Sequence, residues 1–79
     1  MNGKVQKINF QLRKDDEYIQ LIQLLKATNV VYNGADAQQV VVDGMVQRNG
    51  EVELRKRAKL VPGDVIEFQN YVITVTKDE

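Results

Sequence analysis

The dipeptide Asn49-Gly50 is the sequence feature that most restricts how this chain can fold. It separates two runs, residues 45–48 and 51–54, in which apolar and polar side chains alternate. Asn and Gly both tolerate a positive φ, which a two-residue type I′ turn requires at both of its central positions. We therefore predict a β-hairpin centred on this dipeptide.

Two further turns extend the strand pattern along the rest of the chain. Pro62-Gly63 places Pro and Gly at the two central positions of a type II turn. The apolar runs 65–68 and 72–75 flank Asn70 and predict a second hairpin. Near the amino terminus, residues 8–12 alternate with a period of two, which predicts another strand.

The segment between the first strand and the hairpin predicts two helices. The first is expected to start at the acidic residues 15–17, with an Asp as N-cap, and to run to about Ala27. Its apolar residues recur at helical spacing, so that face is expected to be buried. The residues of this face are Tyr18, Leu21, Ile22 and Leu25, with Ile19 and Leu24 beside them.

The second helix is expected to follow an Asn33 cap and to stop at Gly44. Three consecutive valines leave a strand as the alternative, but Ala35, Ala37 and the Gly44 stop favour a short helix. Its core stripe is expected to be Ala37, Val40 and Val41. The resulting order predicts an α+β domain, with two short helices packed on a small, mostly antiparallel sheet.

Composition narrows the classes of function. The chain has no Cys and no His, which excludes disulfides, thiolate metal sites and the commonest general base. The acids at 15–17 are explained by the helix start, and Glu51 and Glu53 alternate along the hairpin. We therefore expect no catalytic residue, no metal site, no cofactor and no enzymatic activity.

Length and the two ends of the chain carry further expectations. Seventy-nine residues predict one domain over 1–79. Residues 1–7 lack the apolar stretch of a secretion signal, and no apolar run approaches the length of a membrane span. Residues 76–79 lack the Gly-Gly tail that a sulfur-carrier domain needs. We expect a cytoplasmic monomer.

Positive charge is concentrated in one stretch although the formal net charge is zero. The stretch 48–59 holds five cations against only Glu51 and Glu53, a net charge of +3. Its cations are Arg48, Arg55, Lys56, Arg57 and Lys59. Local potential steers a polyanion to its site, although a solvated charged surface is the alternative. If the run is extended, Arg55, Arg57 and Lys59 share a face.

The order and spacing of these features resemble the S-four RNA-binding domain, the α-L motif of ribosomal small-subunit protein four. The matching positions are Ala37, Gly44, Val46, Asn49, Gly50, Gly63, Asp64 and Ile66. The resemblance covers about residues 18–75. It is greatest to stand-alone bacterial members of the YbcJ- and YaaA-like type, in Leu24-Leu25-Lys26, Gly34 and the basic block 55–60.

The resemblance implies non-catalytic binding of structured RNA, ribosomal or transfer RNA, and association with ribosomal particles. The implied contact residues lie in the hairpin, the basic run and the second helix. They are Arg55, Lys56, Arg57, Lys59, Arg48, Asn33, Gly34, Gln38 and Asn49. Because Arg55, Arg57 and Lys59 lack acid partners within the run, changing all three to Ala is expected to abolish RNA binding without altering the thermal midpoint.

Several of these residues have structural explanations that stay open at this point. Arg48 is explained equally well as a solvated edge-strand cation, and Asn49 is needed by the turn. Free amides at Gly34 form an anion site, but Asn33 and Asp36 are also explained as a helix cap. Gln38 suits a solvated helix surface. Tyr32 and Tyr71 are expected to be partly buried, with stacking on RNA bases as the alternative.

Two departures from the family pattern reduce positive charge on the second helix. Asn33-Gly34 stands where the family usually carries Ser-Arg, and Gln38 stands where relatives carry Lys. We therefore expect a lopsided interface of moderate affinity. A small protein-interaction module without nucleic acid is the alternative function, and the neutral total charge favours it.

Overall fold

The computed structural model describes residues 4–77. The expectations for residues 1–3 and 78–79 lie outside the described residues. Two helices and two sheets form within this range. The helices are α1 (Leu21–Ala27) and α2 (Gly34–Val42). The strands are β1 (Gln6–Leu12), β2 (Ile19–Gln20), β3 (Val46–Arg48), β4 (Glu51–Val52), β5 (Lys59–Leu60), β6 (Val65–Phe68) and β7 (Tyr71–Lys77).

The larger sheet has the strand order β1-β7-β6-β3-β4, and β2 pairs with β5 in a separate ribbon. All pairs are antiparallel except β1 with β7, which run parallel. Both helices and the larger sheet contribute fully buried residues to one core, among them Leu24 of α1, Val41 of α2 and Ile73 of β7. The expected α+β fold with a mostly antiparallel sheet is confirmed.

The predicted turns are present, and their backbone explains their sequences. Asn49 and Gly50 have φ of 52° and 89°, as a type I′ hairpin requires. Gly63 has a φ of 99°, and the Asp64 amide donates to the Val61 carbonyl at 3.0 Å. The second hairpin turns at Gln69 and Asn70 between β6 and β7. Turn chemistry therefore places most strand ends correctly.

Helix α2 also matches its prediction. The Asn33 side-chain oxygen accepts the Asp36 amide at 2.9 Å, and Gly44 follows the helix with a φ of 74°. Ala37 and Val41, one turn apart, are fully buried, and Val40 is half-buried. Burial at helical spacing outweighs the weak helix propensity of the valines.

Helix α1 begins later than predicted, so its proposed acidic start was wrong. Residues 15–17 lie in a loop, and the cap residue Gln20 makes no side-chain capping bond. Residues 19–20 instead pair with β5, and the first α1 amides donate to carbonyls of residues 56 and 58. Tyr18 is 41% exposed and is not part of the core. The pairing of residues 19–20 with β5 therefore prevented the earlier helix start that the acidic residues favoured.

The longer of the two helices has nine residues. No helix within residues 4–77 is therefore long and apolar enough to cross a lipid bilayer.

Candidate nucleic-acid interface

The cations of residues 55–59, here called the basic turn, are not presented on an extended strand. The Ala58 amide donates to the Arg55 carbonyl at 3.2 Å, which closes a turn with Lys56 and Arg57 at its tip. Strand β5 begins only at Lys59. The predicted ridge with alternating faces is therefore wrong for this segment.

Helix α1 anchors the basic turn. The Leu21 amide donates to the Ala58 carbonyl at 2.9 Å, and the Ile22 amide to the Lys56 carbonyl at 3.2 Å. The first amides of a helix have no hydrogen-bond partner inside it. These bonds therefore satisfy two amides of α1 and two carbonyls of the basic turn. Ala58 is 5% exposed and packs into the core. The turn therefore holds its charged side chains on a fixed backbone.

Four of the five predicted cations surround one shallow depression of about 430 Å³. It is lined by Arg48, Arg55, Arg57, Ala58 and Lys59. Lys56 is exposed at the tip of the basic turn and does not line the depression. The fold thus brings the hairpin residue Arg48 and the basic turn together around this depression.

Glu53 forms an ion pair with Arg55. The Arg55 guanidinium donates to both carboxylate oxygens, from Nε at 3.0 Å and from Nη2 at 3.2 Å. The Arg55 amide also donates to Glu53 at 3.1 Å, and Arg48 Nη1 lies 3.5 Å from Oε1. The expectation that Arg55 lacks an acid partner was therefore wrong.

Asp64 joins the hairpin to the type II turn. Its carboxylate accepts from Arg48 Nη2 at 2.9 Å, from Asn49 Nδ2 at 3.0 Å and from the Val61 amide at 2.9 Å. The same Arg48 nitrogen donates to the Lys59 carbonyl at 3.0 Å. The Asn49 oxygen accepts the Val65 amide at 2.9 Å. Arg48 therefore ties the hairpin to the basic turn at Lys59, and Asn49 ties the hairpin to Asp64 and to the start of β6.

The two buried carboxylates are stabilised in their charged forms. The Arg55 hydrogen bond is the main cause that lowers the pKa of Glu53, against an opposing effect of burial. Burial by itself raises the pKa of Asp64, but bonds from Val61, Asn49 and Arg48 together outweigh it and lower the pKa. Both groups are ionised at neutral pH and hold the two arginines.

These lowered pKa values predict acid sensitivity. A carboxylate whose pKa is lower in the folded state stabilises the fold fully above its unfolded pKa, and the contribution disappears as pH falls through the folded value. The ordinary values are 4.5 for Glu53 and 3.8 for Asp64. We expect the free energy of unfolding to decrease as the pH falls below about 5, where carboxylates begin to take up protons. Urea unfolding at a series of pH values from about 7 to about 2.5 measures this decrease.

A variant that lacks one carboxylate supplies the control for this measurement. Glu53→Gln removes one of the two groups and should flatten the acid dependence. Asp15→Asn removes an exposed loop carboxylate and should leave it unchanged. If Glu53→Gln and the unchanged chain show the same pH dependence, the hydrogen-bonded carboxylate is not its source.

Lys56, Arg57 and Lys59 form no ion pair with any of residues 4–77. All three are exposed. Lys59 Nζ lies 5.0 Å from the centroid of the Tyr18 ring, within range of a cation–π contact. Sequence reasoning missed Tyr18 because its spacing suited the buried helix face. Of the predicted site cations, these three are therefore the ones that can pair with an anionic partner.

The start of α2 forms a second, weaker patch. The Asn33 oxygen is occupied by the helix cap, and Gln38 is exposed. A Cβ built on Gly34 would lie 3.9 Å from Lys26 Nζ, so an ammonium group from α1 stands beside this helix start. Lys26 was not among the predicted site residues. The seven residues of α1, about 10 Å in length, separate Lys26 from the basic turn.

Comparison with known proteins finds a family model, curated relatives and a solved structure that are similar to this chain. A family model described as the S4 domain matches residues 10–76. The YbcJ proteins of Escherichia coli strain K12 and Shigella flexneri are each 34% identical over 58 residues, which cover 73% of this chain and 83% of each relative. The solution structure of E. coli YbcJ, described as revealing an α-L motif involved in RNA binding, superposes with a TM-score of 0.67. It is 30% identical and covers 96% of this chain and 91% of that chain.

Proposed function

Because the chain belongs to the S4 domain family, we propose that it binds structured RNA, ribosomal or transfer RNA, and catalyses no reaction. Two considerations support the proposal. The E. coli YbcJ structure is described by an RNA-binding motif, and its fold extends over nearly all of this chain. The proposal treats residues 1–79 as one RNA-binding unit, with its core at about 18–75.

The observation that carries the proposal is the basic turn. Lys56, Arg57 and Lys59 are exposed and form no ion pair within residues 4–77, and α1 fixes their backbone. A guanidinium fork binds phosphate oxygens bidentately, which suits Arg57, whereas the two lysines act as point charges. Because the turn is already ordered, binding costs little backbone entropy.

The remaining candidates receive unequal roles in this proposal. Arg55 contributes a weaker contact, because Glu53 neutralises it although its side chain is 75% exposed. Arg48 acts mainly by holding the basic turn at Lys59, and Asn49 acts mainly by holding the hairpin against Asp64 and Val65. Asn33, Gly34 and Gln38 form the second contact area at the start of α2.

The charge pattern sets the expected mode of binding. A-form RNA hides its base edges in a narrow groove, so a basic surface reads phosphates, 2′-hydroxyls and shape. Three phosphate contacts predict that log affinity falls with log salt at a slope of about −2 to −3. Affinity is therefore expected to be moderate at physiological salt.

Purification of the chain from cells with and without ribonuclease tests the proposal. We expect nucleic acid to copurify with the untreated protein and the protein to comigrate with ribosomal particles. Ribonuclease should remove both. Purified transfer RNA and a ribosomal RNA fragment then serve as direct probes at low salt. Absence of copurifying nucleic acid together with no retention of either probe would contradict the proposal.

A protein-interaction module is the second candidate function, and one surface feature favours it. Side chains at the end of α2 and at the edge strand β4 form an exposed apolar cluster. Its members are Val42, Met45, Val52 and Leu54, which are 45–60% exposed. A complex that survives ribonuclease and is lost in the double variant Val52→Ser, Leu54→Ser would favour this function over RNA binding.

A further inference from the structure

Tyr32 stands out from every other large apolar side chain in residues 4–77. It is 96% exposed, whereas the next most exposed, Leu54, reaches 60%. Sequence reasoning expected Tyr32 and Tyr71 to be partly buried. Tyr71 is half-buried and packs against the core, as expected, but the expectation for Tyr32 was wrong. The fold therefore presents an aromatic ring to solvent with both faces free.

The backbone on either side of Tyr32 is held in place. Val30 and Val31 are half-buried against the core, and the Val30 amide donates to the Leu25 carbonyl at 3.3 Å. On the other side, Asn33 caps α2 through its side chain. The ring thus projects from an ordered segment. A tyrosine on such a backbone loses little conformational entropy when it makes a contact, because it has only two χ angles.

A positive charge lies at the start of α2, which follows Tyr32 in the sequence. Lys26 Nζ would be 3.9 Å from a Cβ on Gly34, two residues after Tyr32. Gly34 has no side chain, which leaves the approach to the ammonium group open. An exposed aromatic ring that precedes a helix start with a cation beside it suits a nucleotide, because the base stacks on the ring and the phosphate pairs with the charge.

We propose that Tyr32 stacks on an unpaired base of the bound RNA and that Lys26 pairs with an adjacent phosphate. The inference rests on the proposed function and narrows the RNA class to a duplex interrupted by an unpaired nucleotide. Bases within a regular duplex offer no free face to a protruding ring, whereas bulged or looped bases do. The basic turn, about one α1 length from Lys26, binds the flanking backbone.

Two RNA hairpins of equal stem sequence test the inference, one uninterrupted and one with a single bulged 2-aminopurine. We expect the full chain to bind the bulged hairpin about tenfold more tightly, since one stacked base contributes about that factor or more. It should also quench the 2-aminopurine fluorescence. Tyr32→Phe keeps an aromatic face and should retain both effects, whereas Tyr32→Leu should lose both. Neither change should alter the thermal midpoint, because the ring is exposed.

The possible outcomes separate the two proposals. If Tyr32→Leu and the unchanged chain bind both hairpins equally well, while removal of Arg57 and Lys59 weakens both, stacking is overturned and RNA binding stands. If the unchanged chain binds neither hairpin but binds transfer RNA or the ribosomal RNA fragment, the inference is overturned and RNA binding stands; if it binds none of these RNAs, both proposals are overturned. A ribonuclease-resistant protein complex lost in Tyr32→Leu, with no change in RNA affinity, would assign the ring to a protein contact and overturn the inference.

Discussion

Asp64→Ala is expected to lower the free energy of unfolding by about 3 kcal/mol. Asp64 is 8% exposed and accepts hydrogen bonds from Arg48, Asn49 and the Val61 amide. Its removal leaves a partly buried guanidinium with only the more distant Glu53 as acid partner. A backbone donor also loses its bond. A chain of this size has a total stability of roughly 4–12 kcal/mol, so the loss is a large share.

Urea unfolding and a thermal scan at pH 7 (about neutral, where both buried carboxylates are ionised) measure this effect. The thermal midpoint should fall by roughly 10–20 °C. Asp15→Ala is the matched control, because it removes an exposed loop carboxylate and should change stability by no more than about 0.5 kcal/mol. If Asp64→Ala and Asp15→Ala unfold at the same urea concentration, the Asp64 bonds contribute nothing to stability.

The double variant Arg57→Gln, Lys59→Gln is expected to weaken binding to transfer RNA by roughly 30-fold at about 0.1 M salt. Both side chains are exposed and form no ion pair within residues 4–77. Each phosphate contact releases condensed counterions, so losing two contacts should make the salt slope shallower by about 1.5–2. Fluorescence anisotropy across a salt series measures both quantities.

Two control variants make this prediction specific. Lys4→Gln, Lys7→Gln removes the same charge from exposed lysines at or next to β1, at the opposite edge of the sheet from β4, and should change affinity little. Arg55→Gln should have a smaller effect than the double variant, because Glu53 already neutralises Arg55. If the Lys4→Gln, Lys7→Gln variant, which removes the same charge, lost as much affinity as the Arg57→Gln, Lys59→Gln variant, net charge and not the basic turn would determine binding.

The ion pair of Arg55 also changes the expectation for the triple Ala variant of Arg55, Arg57 and Lys59. Glu53 has 10% of its side chain exposed, and without the Arg55 guanidinium it keeps only the bond from the Arg55 amide and the 3.5 Å contact with Arg48. The triple variant should therefore lose stability as well as RNA affinity, so its thermal midpoint should fall. The double variant separates these two effects.

Local sequence signals predicted the elements whose causes are local. The turn at Asn49-Gly50, the Pro62-Gly63 turn and the Asn33 cap depend on the φ range and short side-chain bonds of a few consecutive residues. The start of α1 depends on a distant strand instead. Residues 19–20 pair with residues 59–60, some forty positions away, and this pairing displaced the acidic start that the sequence favoured.

The candidate site shows the same division. Its location could be predicted, because five cations within twelve positions concentrate charge wherever the segment folds. Which of these cations are free could not be predicted. Arg48 meets Asp64, sixteen positions away, at 2.9 Å, and the Arg55 guanidinium bonds to the carboxylate of Glu53, two positions before it.

The sequence by itself determined the hairpins, the second helix and the stretch that carries the positive charge. Only the tertiary structure decided that Lys56, Arg57 and Lys59 are the available cations and that Tyr32 projects into solvent. The physical reason is the separation along the chain over which each kind of interaction acts. Turn and cap preferences act over about four residues, whereas ion pairs and burial depend on atoms a few ångströms apart that the fold brings together from distant parts of the chain.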